Sequence, residues 1–309
     1  MEAETAQDKA AQRNTVTGVY YALAAYLAWG LLPLYWKALE GVSGMEILAH
    51  RIGWSFLFVM MIIFATGQWK TMKSAIGKRE NWFTLITGSL LISANWFIYI
   101  WAVNNGHMVE ASLGYYINPL LNVATGVLFL KERLNRGQIA AIGLAAVGVL
   151  FLTAQFGQVP WIALSLAITF TLYGLAKKKV SFEPLIGLAV ETAMVTPLAL
   201  LYLLYLHGQG VDAFSGGTAL ARTLLMGAGV VTAMPLLWFA QGARRIPLST
   251  IGFIQYLSPT MSLLLGIFLY HEPFTNVHAV SFTLIWSALV IYSLSHLKGM
   301  REARRAAAG

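Results

Sequence analysis

Arg51 and Glu191 are the two residues of this 309-residue sequence whose type and placement point most directly to chemistry, because each interrupts a long apolar stretch. A charge at the centre of a membrane helix costs about 2.5 to 3.5 kcal/mol on insertion scales, so such a group faces a cavity, finds a partner or snorkels to an interface. Arg51 suits attraction of an anionic or polar substrate group, and Glu191 suits binding of a cation or carriage of a proton, with His50 beside Arg51 to share that work. Each also lies near one end of its stretch, which leaves snorkelling open for both.

Polar and aromatic residues recur at helical spacing in the middle of the chain. Asn95 and Tyr99 are four apart, and Ser112, Tyr115, Pro119 and Asn122 follow at intervals of three or four, so each set shares a helix face. An amide turned toward lipid would lack hydrogen-bond partners, and these faces are therefore expected to look inward, either lining a cavity or joining helices. Trp29, Trp96 and Trp101 offer flat surfaces for an aromatic solute or anchors at a membrane interface, Trp96 being the one in mid-span. Pro119 and Pro259 lack an amide hydrogen and so free a carbonyl in the preceding turn, as hinges or as tolerated kinks. His107 and Glu110 read as a solvated helix start, where a carboxylate suits the helix dipole.

Enzymatic chemistry has little to stand on. Paired carboxylates, a His cluster or a nucleophile with its base would be needed. The chain has 13 acidic residues with no two within one turn inside a span, six scattered histidines, no HExxH and no GxxxxGK[ST] phosphate loop. With no cysteine, disulfides and thiolate metal sites are excluded as well. The expectation is a non-enzyme that needs neither cofactor nor metal, and a channel is the stronger rival to a carrier.

The elements that must position these residues are membrane helices. Hydrophobic residues make up 58% of the chain and charged ones 11%, and about 20 apolar residues span a bilayer core. Spans are expected near 17–37, 46–66, 82–103, 109–130, 137–153, 161–176, 184–206, 221–241, 247–270 and 277–296. Eighteen of the 21 lysines and arginines fall in the two tails and in every second gap, the exceptions being Lys37, Arg51 and Arg222. That alternation predicts ten spans with both termini cytoplasmic. The net charge of +8 is thus a topology signal, since the short gaps hold no folded basic surface for nucleic acid. The polar first fifteen residues are unlike a signal peptide, so the first span should be retained.

A repeat of 140 residues divides the chain. YYINPLLNVATGVLFLKERL from Tyr115 aligns with QYLSPTMSLLLGIFLYHEPF from Gln255, matching Tyr116 with Tyr256, Pro119 with Pro259, Gly126 with Gly266 and Glu132 with Glu272. The same offset places Lys37 on Lys177 and Arg51 on Glu191. Five helices per copy turn the second copy upside down, an arrangement characteristic of secondary transporters with a site near the midplane. The expected division is a tail at 1–14, a first repeat at 15–154, an inverted second repeat at 155–297 and a basic tail at 298–309. Gln255 and Tyr256 should then join the first-copy residues at the centre. Gly143 with Gly148, Gly126, Gly266, Gly227 and Gly229 permit close helix contact and, through such faces, a homodimer.

Two five-helix copies, each with an aromatic-x-x-Pro segment leading to a Gly and an interfacial Glu, resemble the EamA-type repeats of the drug/metabolite transporter superfamily. NWFIYIWAVNNGH from Asn95 to His107, SLGYYINPLLNV from Ser112 to Val123, KERL from Lys131 to Leu134, AHR from Ala49 to Arg51 and Glu191 with Thr192 are together similar to the RarD branch, a group of permeases linked by name to chloramphenicol sensitivity. The second copy is looser, with Gln255 opposite Tyr115 and Pro273 after Glu272 where Arg133 follows Glu132. The resemblance implies a ten-helix inner-membrane carrier and names no substrate. From the residues, the best substrate is a small amphipathic metabolite or drug-like solute, moved by alternating access between the lipid-embedded halves.

Overall fold

A computed structural model of the chain describes residues 2–77, 82–130, 135–179, 183–246, 250–251 and 254–308. Within those segments, side chains are described except at 2–13, 75, 122–123, 126–130, 156, 177–179 and 296–308. The helices are α1 (Glu2–Lys37), α2 (Gly44–Ala65), α3 (Trp69–Gly77), α4 (Trp82–Asn104), α5 (Met108–Leu130), α6 (Arg136–Phe156), α7 (Trp161–Lys179), α8 (Pro184–Gly208), α9 (Ala213–Gly216), α10 (Ala219–Ala243), α11 (Leu257–Leu264, prolonged by a π turn at Leu265–Leu269) and α12 (Asn276–Ala308). No strand occurs among the described residues.

Among the described residues, seven helices are long and apolar enough to cross a membrane: Asn14–Lys37, Gly44–Ala65, Trp82–Asn104, Arg136–Gln155, Pro184–Gly208, Ala219–Ala243 and Asn276–Ser295. The expected runs at 109–130, 161–176 and 247–270 correspond to α5, to the shorter apolar part of α7 and to α11 with its π turn. Sequence reading missed three things. The first helix begins at Glu2 rather than near residue 17, and α3 and α9 occupy what read as gaps. In α3, Trp69, Met72 and Ile76 share one face with Lys73 at its edge and Lys70 off it, a short amphipathic pattern inside a charge-rich gap.

Helix ends are fixed locally. Asn135 and Gln138 form a reciprocal capping box that starts α6, and Gly157 ends it in the left-handed conformation with φ 65°. Asp212 and Thr218 cap α9 and α10 by accepting from Ser215 N–H and Ala221 N–H.

The bundle is built from the pairings α1 with α10, α4 with α7, α2 with α8, α2 with α10, α4 with α8, α5 with α7, α1 with α11, α5 with α11 and α6 with α12. Two glycines set the closest crossings. A Cβ on Gly229 would stand 2.4 Å from the Trp54 backbone, bringing α10 onto α2, and one on Gly114 would stand 2.6 Å from the Ala163 carbonyl, bringing α5 onto α7. Gly143, grouped with the contact glycines from sequence, faces open space instead.

Candidate functional site

At the end of the bundle poor in basic residues, carboxylates hold helix N-termini. Met108 N–H and Val109 N–H donate to Glu272 Oε1 and Oε2, each at 2.8 Å, tying the segment after α11 to the start of α5. Ile162 N–H donates to Glu110 Oε1 at 3.1 Å, and Ala213 N–H to Glu46 Oε1 at 2.6 Å. These are the orphan donors of α5, α7 and α9, and a carboxylate also complements the dipole there. Asp212 is held below the usual carboxylate range by hydrogen bonds from the Ser215 hydroxyl and amide. His271, next to Glu272, takes φ 53°, a left-handed turn that a non-glycine residue adopts only when its surroundings require it.

Beneath that end lies Arg51, seven residues into α2 and about 10 Å from the start of the helix at 1.5 Å per residue. It is 6% exposed. Its guanidinium carbon lies 4.1 Å from the centroid of Trp96 on α4 and 5.1 Å from that of Trp36 on α1. Snorkelling is therefore not what this side chain does; its head rests between two indoles instead of at an interface. A desolvated cation over an indole gains about 2 kcal/mol or more, which offsets only part of the cost of burying it. Arg51 Nε and Trp36 Nε1 are both buried without a protein acceptor. The rings of Tyr99 and Tyr115 meet edge to face at 5.5 Å, and the Tyr99 hydroxyl lies 3.3 Å from Ser262 Oγ on α11.

Five helices thus converge on one donor-rich, aromatic-walled cluster of Arg51, Trp36, Trp96, Tyr99, Tyr115 and Ser262. Sequence reading had Arg51, Trp96, Tyr99 and Tyr115. It missed Trp36, which reads as an interfacial aromatic beside Lys37, and Ser262, which no spacing links to the others. Ser262 stands at the 140-residue offset from Asn122, so the repeat could have pointed to it.

The other expected residues are used differently. Asn95 donates from Nδ2 to the Leu166 carbonyl at 2.9 Å and to Thr169 Oγ1 at 3.0 Å, joining α4 to α7. The Ser112 hydroxyl donates to the Met108 carbonyl at 2.8 Å within its own helix. His50 stacks on Phe214 of α9 at 5.1 Å, its Nε2 buried without a hydrogen-bond partner. Tyr256 stacks on Tyr116 at 6.1 Å, and the Tyr116 hydroxyl pairs with Thr260. Pro119 lies within α5 and Pro259 is buried in the first turn of α11, flanking that contact. Gln255 precedes Tyr256 and is half-buried, and the side chain of Asn122 lies outside the described residues. Trp29 packs with Tyr26 and Phe239 beside the apolar cluster that holds Trp36 and Tyr99, and Trp101 stacks on His107 at 5.5 Å.

Glu191 sits seven residues into α8 and is 8% exposed. The Tyr173 hydroxyl of α7 donates to its carboxylate, 3.0 and 3.1 Å from the two oxygens. An aromatic line joins the two ionisable groups: Tyr115 to Phe170 at 6.5 Å and Phe170 to Tyr173 at 6.0 Å.

Among the described residues the structure is all-helical, with seven candidate spans and with Arg51 and Glu191 buried inside two of them, and the chain is a multi-pass membrane protein. Residues 16–154 match the EamA-like transporter family. The chain is 50% identical over 295 residues to an uncharacterized transporter, YojE, of Bacillus subtilis, covering 94% of this chain and 98% of that protein. It is 41% identical over 290 residues to the protein RarD of Escherichia coli, covering 94% and 98%. The chain belongs to the EamA-like transporter family, as a permease of the RarD type. A crystal structure 17% identical in sequence aligns over 90% of this chain and 98% of its own with a TM-score of 0.59, a likeness of fold.

Proposed function

We propose that this transporter is a secondary carrier that moves a small amphipathic solute bearing an anionic or strongly accepting head across the cytoplasmic membrane by alternating access. The observation that carries this reading is the pair of buried donors, Arg51 Nε and Trp36 Nε1, with no protein acceptor. Leaving such groups unsatisfied costs about 1 to 3 kcal/mol each, more for a charged one. A carboxylate, phosphate or carbonyl head between them recovers that energy, and the Trp96, Tyr99 and Tyr115 rings supply contact area for a flat apolar body. Arg51, Tyr99, Tyr115 and Trp96 form the core of the binding site in this reading. Asn95 supports it by joining α4 to α7 and Ser112 from within α5, and Gln255 and Tyr256 support it from the opposite repeat.

Glu191 is the coupling group, taking up and releasing a proton against the Tyr173 hydroxyl, and His50 senses the docking of α9 at the closed end. Pro119 and Pro259 are the hinges on either side of the Tyr116 to Tyr256 contact. Within the bundle, ten spans form two inverted repeats, 15–154 and 155–297, with both tails, 1–14 and 298–309, cytoplasmic. The packing supports that division. Exchanging each helix of one repeat for its partner turns α1 on α10 into α7 on α4, α5 on α7 into α11 on α1, and α2 on α10 into α8 on α4, all of which occur. The α2 to α8, α5 to α11 and α6 to α12 contacts map onto themselves, as hinges and seams between two exchangeable halves would.

The test is uptake of candidate anions and carbonyl solutes into proteoliposomes, chosen by a thermal-shift screen on the purified protein. Saturable counterflow that is lost in Arg51→Gln supports the carrier. Flux that neither saturates nor shows counterflow means a channel.

A further inference from the structure

Helix α3 takes no part in the transport site, yet it is built as a binding element. It lies between α2 and α4, both long and apolar enough to span the bilayer, so it sits at a membrane surface. Met72 is buried in the apolar cluster that includes Val59, Ile63, Leu85 and Leu185, which fixes α3 to the bundle. Beside it is a cleft of about 380 Å³ lined by Trp69, Met72, Lys73, Ile76, Gly77 and Trp82, a volume in the range of small-ligand sites. Trp82 Nε1 donates to the Ile76 carbonyl at 2.8 Å, so its only polar hydrogen is used and its ring closes the cleft from the α4 side. Phe64 stacks on Trp69 at 5.2 Å, and both rings remain exposed, as does Phe83.

The rim is basic. Lys70 and Lys73 are exposed, residues 67–77 contain no acidic side chain, and neither lysine has a carboxylate partner among the described residues. Indoles prefer the headgroup level, and lysines beside an amphipathic helix attract anionic lipid. We propose that the cleft between α3 and the start of α4 binds one anionic glycerophospholipid, its phosphate held by Lys70 and Lys73 and one acyl chain lying along Trp69, Met72, Ile76 and Trp82. The charge of the rim selects the head, and the apolar floor distinguishes a lipid from a free phosphate ester. This site stands independently of the transport reading.

Native mass spectrometry and thermal unfolding of the purified full chain test it, with phosphatidylglycerol, phosphatidylcholine and glycerol phosphate as separate probes. Phosphatidylglycerol should be retained in preference to phosphatidylcholine and should raise the melting temperature, while glycerol phosphate alone does neither. Lys70→Gln and Lys73→Gln should each weaken phosphatidylglycerol retention about fivefold, with unfolding in phosphatidylcholine unchanged. Trp69→Ser, at a half-exposed position, should weaken retention through the acyl chain instead. Equal retention of the two lipids, or full retention by the double lysine variant, overturns the proposal. Stabilisation by glycerol phosphate matching that by the lipid overturns the lipid as occupant.

Discussion

The guanidinium of Arg51 lies 4.1 Å from the Trp96 ring centroid while its Nε has no protein acceptor, so the side chain is held by its face and left open at its edge. A residue kept only for stability would have its N–H groups paired, because a buried charge is costly and its removal is often neutral or stabilising. Arg51→Leu should therefore leave the melting temperature unchanged or raised while abolishing substrate binding. Arg51→Lys keeps the charge but loses the planar stack and the Nε donor, and should weaken affinity about tenfold or more. Affinity and unfolding measured on the same samples check both, and a Leu variant that unfolds early returns Arg51 to a structural role.

Trp96 and Asn95 are neighbours in sequence with opposite geometry, which makes them a matched pair. Trp96→Ala removes the face under Arg51 and should cost affinity, whereas Asn95→Leu cuts the bonds to Leu166 and Thr169 and should cost stability. Interhelical hydrogen bonds of this type are worth about 0.6 kcal/mol on average and up to about 1.7. Asn95→Leu should lower the melting temperature with little change in affinity. The reverse pattern in the two variants would exchange their roles.

Glu272 supplies a third test. Its carboxylate takes both Met108 N–H and Val109 N–H at 2.8 Å and so bonds the segment after α11 to the head of α5. Glu272→Ala leaves two helix N-terminal donors unpaired, at a cost of about 1 to 3 kcal/mol. Hydrogen exchange at the Met108 and Val109 amides should accelerate, with the amides in mid-bundle unaffected. Unchanged exchange would mean that the N-terminus of α5 is closed by packing alone.

Sequence reading went furthest where physics is local or periodic. Apolar runs of membrane length located the long helices within a few residues, and the 140-residue offset paired Arg51 with Glu191. It failed where tertiary packing decides. Nothing in the spacing of Trp36 or Tyr173 announces that they meet Arg51 and Glu191, since they come from α1 and α7, and only the repeat offset from Asn122 points to Ser262. The inward face through Ser112 and Asn95 was legible, but whether its polar atoms line a cavity or bond to a neighbour depends on a partner helix 50 to 70 residues away, such as α7 at Leu166. Helix α3 was hidden by its own lysines, which read as a topology gap and overrode the Trp69, Met72 and Ile76 periodicity.

The topology rests on 18 of 21 basic residues occupying the tails and alternate gaps. A cysteine at position 178 should be unreactive to an impermeant thiol reagent in intact cells and reactive once the membrane is opened, and one at position 105 should behave oppositely. The absence of native cysteines keeps the background silent. Labelling of position 178 from outside would invert the orientation, and with it the side on which Glu272 closes the bundle.

Glu191 provides the last test, because its carboxylate is buried within α8 and accepts from the Tyr173 hydroxyl of α7. An ionisable group inside a span is a candidate proton carrier. If Glu191 couples transport to protons, wild-type uptake should depend on pH while Glu191→Gln, fixed in a neutral amide form, shows a flat profile with substrate affinity largely kept. Tyr173→Phe removes the bonds without touching the carboxylate, so its profile should remain pH-dependent but displaced from that of the wild type. Proteoliposome uptake across a series of pH values, with expression and unfolding matched, separates the outcomes. A Glu191→Gln variant that keeps the wild-type pH dependence would assign the proton to another group and leave Glu191 as an interhelical contact between α8 and α7.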